Sequence, residues 1–218
     1  MNLKNGYWFW KKAIPPRLCD DIIQYGLRNK KERAITGDQG RDRDLVKNPL
    51  NVKEIKQLKK IRDCDVVWMN DNWIYKEIRP YVQGANSAAG WNFQWQRSES
   101  CQFTIYTKGQ YYSWHQDSWL APHDDALKQE AHKTPGALQG KIRKLSMTVS
   151  LSDQKEYSGG NLEFDFRAMS KHKPQACKEI NSKGSLVVFP SFVWHRVTPV
   201  TRGIRYSLVS WHTGDPFI

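Results

Sequence analysis

The sequence predicts a mainly β protein, a sandwich or jelly roll, with flanking helices. Three observations carry this. From Trp91 onward, short apolar or aromatic runs recur between turns containing Gly and Pro, the punctuation of an all-β core. Leu162, Phe164 and Phe166 alternate cleanly after Gly159-Gly160, the period of a strand with one buried face. Before residue 90 the apolar positions instead step by three and four, as at Ile74, Ile78, Tyr81, Val82, Ala85, Ala88 and Ala89, which marks a helix.

Residues 3–12 are apolar and aromatic and read as a first strand. Pro15-Pro16 set up a helix start, since proline is tolerated in the first turn; Leu18, Ile22, Ile23 and Tyr25 carry that helix to about Lys30. Residues 33–51 are polar and read as strand fragments and loop. Lys53–Lys60 suit a short basic helix, and Cys64–Trp68 a short strand. Asn70 or Asp71 caps the next helix and Gly90 ends it. Pro80 falls in its middle, where a kink or break is expected. The expected strands then lie at about 91–97, 100–107, 111–117, 143–152, 160–166, 175–180, 185–190, 195–199 and 204–212. Residues 120–142 are polar, contain Pro122, Pro135, Gly136 and Gly140, and read as a loop or lid. One domain spans residues 1–218, with 1–90 as support and 91–218 as the jelly-roll core.

A chain of 218 residues with ten Trp, nine Tyr and eight Phe has the material for a full core. It contains no apolar run long enough to span a membrane, and Met1–Trp8 has no signal-peptide character. The scattered Cys19, Cys64, Cys101 and Cys177 form no C-x-x-C pair and suit reduced thiols in a cytoplasmic protein. The net charge of +12 favours an acidic partner, nucleic acid among them. The charge is spread in small clusters, however, so a solvated basic surface is the plainer account.

The chemistry centres on Tyr111-Tyr112-Ser113-Trp114-His115-Gln116-Asp117. In a strand, His115 and Asp117 share a face, about 6–7 Å apart, so an imidazole and a carboxylate can meet on one metal ion. His195 is the best third donor, and two histidines with one carboxylate leave the opposite side of the metal open, as in non-haem Fe(II) oxygenases. Pro199 to Gly203 turn the chain, which places Arg205 beside His195 on an antiparallel neighbour. A guanidinium there receives a carboxylate through paired hydrogen bonds. Ser207, on the same face, can add another. His123, His132, His172 and His212 read as surface or structural histidines.

From about Trp91 to Trp211 the chain resembles the Fe(II)- and 2-oxoglutarate-dependent dioxygenases of the prolyl-4-hydroxylase-like branch. The resemblance rests on Tyr106, Tyr112, His115 and Asp117; on Leu151-Ser152-Asp153 and Gly159-Gly160-Asn161-Leu162; and on Phe189-Pro190, His195, Val197, Pro199-Val200 and Gly203-Ile204-Arg205-Tyr206-Ser207. It implies a double-stranded β-helix, with Fe(II) bound by His115, Asp117 and His195. It implies 2-oxoglutarate as cosubstrate, held by Arg205 and Tyr106 with Ser207, and O2 as oxidant; ascorbate is an optional accessory. Tyr112 and Trp211 match pocket-lining aromatics near the substrate entrance, and Thr148 or Ser150 faces the cosubstrate.

The implied activity is hydroxylation of a C–H bond, in a prolyl residue of a protein or peptide, with release of succinate and CO2. Nucleic-acid demethylation in the same superfamily, a small-molecule hydroxylase and a non-catalytic jelly-roll binding module are the competing readings.

Overall fold

The computed structural model describes residues 3–34, 49–118, 138–166 and 173–217. The N-terminal part supplies β1 (Trp8–Trp10), α1 (Pro16–Arg28), β2 (Glu32–Arg33), α2 (Val52–Ile61), β3 (Arg62–Asp63), β4 (Asp65–Met69) and α3 (Asn72–Ala88). Strands then dominate: β5 (Arg97–Ser98), β6 (Cys101–Tyr106), β7 (Tyr111–His115), β8 (Ile142–Ser150), β9 (Tyr157–Gly159), β10 (Leu162–Asp165) and β11 (Gln175–Ala176). After a single turn of 3₁₀ helix at Lys178–Ile180 come β12 (Leu186–Pro190), β13 (Trp194–Val197), β14 (Val200–Gly203) and β15 (Arg205–Gly214).

The major sheet runs β1-β12-β8-β15-β6-β4-β2, with β5 on the far part of β15; the minor sheet runs β11-β10-β13-β7-β3, and β14 pairs β9 separately. This is the jelly roll expected from the run of short strands. The major sheet is buried on both sides. Phe103, Ile105, Leu145, Met147, Val149, Leu186, Val188 and Leu208 pack with Ile22, Ile74, Ile78 and Val82 of α1 and α3. The alternate positions Tyr106, Val187 and Phe189 meet Leu162, Phe164 and Val197 of the minor sheet. The site lies in this second layer, between the sheets.

Gly26 of α1 shows how closely helix and sheet approach: a Cβ there would come within 2.5 Å of the Phe103 ring. Gly90 ends α3 in the left-handed region, at φ +73°. Its N–H bonds Ser87 O and the Trp91 N–H bonds Asn86 O, the paired bonds of a Schellman closure.

Several expected elements change on folding. The helix runs unbroken through Pro80. Pro80 and Lys76, whose carbonyl loses its helical partner, are both exposed, so the lost bond falls on the solvent side of the helix, while Ile74, Ile78, Val82 and Ala85 anchor both halves. The strand expected at 91–97 shrinks to Arg97–Ser98. Asn86 ties both backbone groups of Phe93 to its own side chain, and Asn92 takes φ +52°, which no strand allows. The strand expected at 175–180 divides into β11 and the 3₁₀ turn, and 195–199 into β13 with a separate β14. Most of the 120–142 segment, with His123 and His132, lies outside the described residues, as does His172.

All four cysteines are free and buried. Among the described residues no helix is long and apolar enough to cross a membrane. His212 is a structural histidine, fully buried, with Nδ1 3.0 Å from Ser98 Oγ and its ring edge-on to Trp95. Burial first, then the nearby Arg79 charge, pushes its pKa down to about 3. The unfolded chain takes up this proton near the ordinary histidine value, so between the two values the unfolded state binds more protons and stability falls as pH falls. The thermal midpoint is therefore expected to drop between about pH 6.5 and pH 4. In His212→Gln, differential scanning calorimetry should show a shallower drop.

Candidate metal and cosubstrate site

β7 and β13 lie side by side, and their register sets His115 directly opposite His195, with ring centroids 4.1 Å apart. Each imidazole is oriented in the same way. His115 Nδ1 lies 2.8 Å from Ser113 O, and His195 Nδ1 2.9 Å from Val193 O. A carbonyl accepts from N–H, so Nδ1 carries the proton in each ring and Nε2 is left with a free lone pair.

Asp117 is not in the strand, contrary to expectation, because β7 ends at His115. Ser191 O instead accepts the N–H groups of both Asp117 and Ser118, each at 2.9 Å, and folds the segment back over the site. Asp117 Oδ1 then lies 3.6 Å from His115 Nε2, and Oδ2 lies 3.5 Å from His195 Nε2. Donor atoms of the three residues lie within 4.8 Å of one another, a spacing that suits one cation. Ser146 Oγ donates to Asp117 Oδ2 at 2.7 Å and sits 2.9 Å from Ser191 Oγ, which fixes the carboxylate's rotation.

Burial alone would raise the Asp117 carboxyl. The neighbouring His195 and His115 outweigh it and hold the group well below the usual carboxylate range. Burial, then His115, lowers His195 to about 4. An ionised carboxylate and a neutral imidazole are the forms that bind metal, so the cluster fits the iron its chemistry implies.

A β-bulge completes this wall. The β7–β13 register shifts between His195 and Val197, which pair with His115 and Tyr112, so two steps on one strand face three on the other. The extra residue turns Tyr112 to the same face as His115, and their rings stack at 3.5 Å and 14°. Sequence alternation alone would have placed them on opposite faces.

Arg205 is not on a strand neighbouring His195. The chain leaves β13, pairs β14 with β9, and enters the major sheet as β15. Arg205 therefore approaches the site from the opposite sheet, paired with Tyr106. It is 2% exposed, its Nη1 donates to Ser207 Oγ at 3.1 Å, and its guanidinium lies 5.5 Å from the Tyr106 ring centroid. Arg205 Nε is buried with no partner among the described residues. A buried cation with an unused donor is costly unless an anion meets it, so the pocket fits a carboxylate.

Ser207 pairs with Ser150 and Val209 with Thr148, so Thr148 and Ser150 both share the interior face; the Ser150 hydroxyl is already given to Ser152 O. Trp211, opposite Ser146, lies at the Asp117 end of the cleft, 6.2 Å from Trp68. Arg143 lies 4.0 Å over its ring and is fixed by Glu99 through bonds of 2.6 and 2.7 Å.

Sequence reasoning missed Ser146, Arg143 and Arg62. Arg62 is 6% exposed, donates from Nε to Cys64 Sγ at 3.0 Å, and lies 4.5 Å over the Tyr112 ring. Guanidinium, phenol and imidazole thus form one stack ending on His115, one of the three candidate ligands. Arg62→Met removes the cation–π contact and is expected to weaken Co(II) binding by roughly tenfold, the scale of lost outer support for a ligand, with an altered visible ligand-field spectrum. Tyr112→Phe, which keeps the ring, should preserve both.

Fold and site together define a jelly-roll protein with a two-histidine, one-carboxylate cluster that could hold a metal ion, and a buried arginine on the opposite sheet. The model of the 2OG-Fe(II) oxygenase superfamily matches residues 101–213, and the chain belongs to that superfamily, whose chemistry uses Fe(II), 2-oxoglutarate and O2. A PKHD-type hydroxylase of Synechococcus sp. (strain JA-2-3B'a(2-13)) is 39% identical over 88 residues, 40% of this chain and 34% of the relative. One from Teredinibacter turnerae is 35% identical over 112 residues, 50% of this chain and 41% of the relative. The chain thus matches well under half the length of these curated relatives.

Among solved structures, a viral collagen prolyl hydroxylase from Paramecium bursaria Chlorella virus-1 superposes with TM-score 0.61 at 16% identity, covering 97% of each chain. A Pseudomonas putida prolyl-4-hydroxylase gives 0.60 at 19% identity, covering 96% of this chain and 93% of its own. At such identities these two show the fold alone.

Proposed function

We propose that the protein hydroxylates a prolyl residue of a protein or peptide. The observation that carries this reading is the metal triad facing a buried, incompletely bonded Arg205 across one cleft. The names of the relatives, PKHD-type and prolyl hydroxylases, support the substrate class. So does a structural neighbour from Trichoplax adhaerens, with TM-score 0.59, a prolyl hydroxylase in complex with a peptide fragment.

Bound Fe(II) and 2-oxoglutarate supply the oxidising power that places one oxygen atom of O2 in a C–H bond, with release of succinate and CO2. The chain's own residues do the rest. His115, Asp117 and His195 would hold the metal, the donor set that suits Fe(II). Arg205 and Ser207 would receive a carboxylate of the 2-oxo acid, with Tyr106 beside them. Tyr112, Trp68 and Trp211 give the cleft aromatic walls that suit a proline ring and exclude water. The test is mass spectrometry of a panel of proline-containing peptides. One oxygen atom gained on proline, in step with succinate, supports the reading; succinate formation driven only by methylated oligonucleotides would replace it.

A further inference from the structure

We infer that α2 is a docking rib for an acidic segment beside the target residue of a protein substrate, an inference that rests on the prolyl-hydroxylase reading above. Lys53, Lys56, Lys59 and Lys60 are all exposed. Lys53, Lys56 and Lys60 follow at steps of three and four, so they share one helix face and span about 10 Å. None of the four lysines makes an ion pair among the described residues, and two described acids near them are engaged elsewhere. Glu54 closes the capping box, accepting the Asn51 N–H at 2.7 Å, and Asp63 pairs with Arg33.

The rib is fixed to the metal strand. Lys60 O accepts the Tyr111 hydroxyl at 3.1 Å and the Ser113 hydroxyl at 3.2 Å. Two residues later Arg62 lies over Tyr112, so charge on α2 borders the cleft holding His115. Val52, 82% exposed, and Ile61, 45% exposed, stand at the two ends of the helix. Cations with no ion-pair partner among the described residues, flanked by exposed apolar side chains, suit a peptide that mixes Asp or Glu with apolar residues. α2 has no aromatic side chain on which a nucleic-acid base would stack.

The test uses the whole chain with Mn(II) and 2-oxoglutarate, without oxygen, so binding is read without turnover. Two labelled peptides of equal length surround one proline with either Asp/Glu or Asn/Gln, and fluorescence anisotropy gives their affinities. The acidic peptide is expected to bind about tenfold more tightly at low salt, the sum of a few exposed ion pairs, and to lose that advantage as salt screens the charges. The K53E/K56E/K60E variant, checked for folding by circular dichroism, should lose the preference, and Lys178→Glu, outside α2, should keep it.

Equal binding or no binding of the two peptides overturns the inference, as does a preference that survives in the triple variant. Tighter binding of a single-stranded RNA than of the acidic peptide would assign the rib to nucleic acid. Failure of the hydroxylase reading is seen separately, as the absence of oxygen gain on proline whatever the flanks.

Discussion

Asp117→Ala is expected to lower affinity for Fe(II) or Co(II) by at least about 100-fold. The carboxylate is the only anionic member of the cluster, and both its oxygens face an imidazole Nε2, at 3.6 and 3.5 Å. Its loss leaves two neutral rings to hold a divalent cation. Ser146→Ala should cost less, about tenfold, because it frees the carboxylate's rotation without removing a ligand. Anaerobic Co(II) titration followed by visible absorption measures both. Equal affinity in wild type and Asp117→Ala would remove the carboxylate from the metal site.

The second large effect is expected at Arg205. Arg205→Met keeps the length and apolar stem of the side chain but deletes a buried guanidinium. Two charge-assisted hydrogen bonds to the distal carboxylate of 2-oxoglutarate are worth roughly 3 kcal/mol together, so its affinity should fall about 100-fold or more. Arg205→Lys should recover only part of it, since an ammonium cannot offer the planar fork. Isothermal titration with Mn(II) present reads this without turnover. Metal binding should change little, because Arg205 lies on the sheet opposite the ligands. An unchanged 2-oxoglutarate affinity would assign the buried cation a purely structural role.

The parts of this site that could be read from the sequence are those that local spacing encodes. His-x-Asp brings two donors together whether or not Asp117 is in the strand, because two residues of chain cannot separate them far. Arg205 and Ser207 share a face because they are two apart in a strand. What escaped depends on pairings between distant segments. The route of the chain through β14 to the other sheet decides that Arg205 faces His195 across the cleft rather than along a hairpin. The bulge that brings Tyr112 onto His115 exists only in the β7–β13 register. Ser146 reaches Asp117 from 29 residues away, and Arg62 reaches Tyr112 through the β3–β7 pairing. Pro80 misled because its cost depends on which helix face meets water, which only the packing of α3 determines.

The most direct test of the central claim is succinate formation from 2-oxoglutarate, with a proline-peptide panel present, in wild type and His115→Ala. Succinate that requires Fe(II), oxygen and an intact His115 is the predicted result. Wild-type protein that binds neither Fe(II) nor 2-oxoglutarate and forms no succinate, or a His115→Ala variant that forms it at the wild-type rate, would contradict the account.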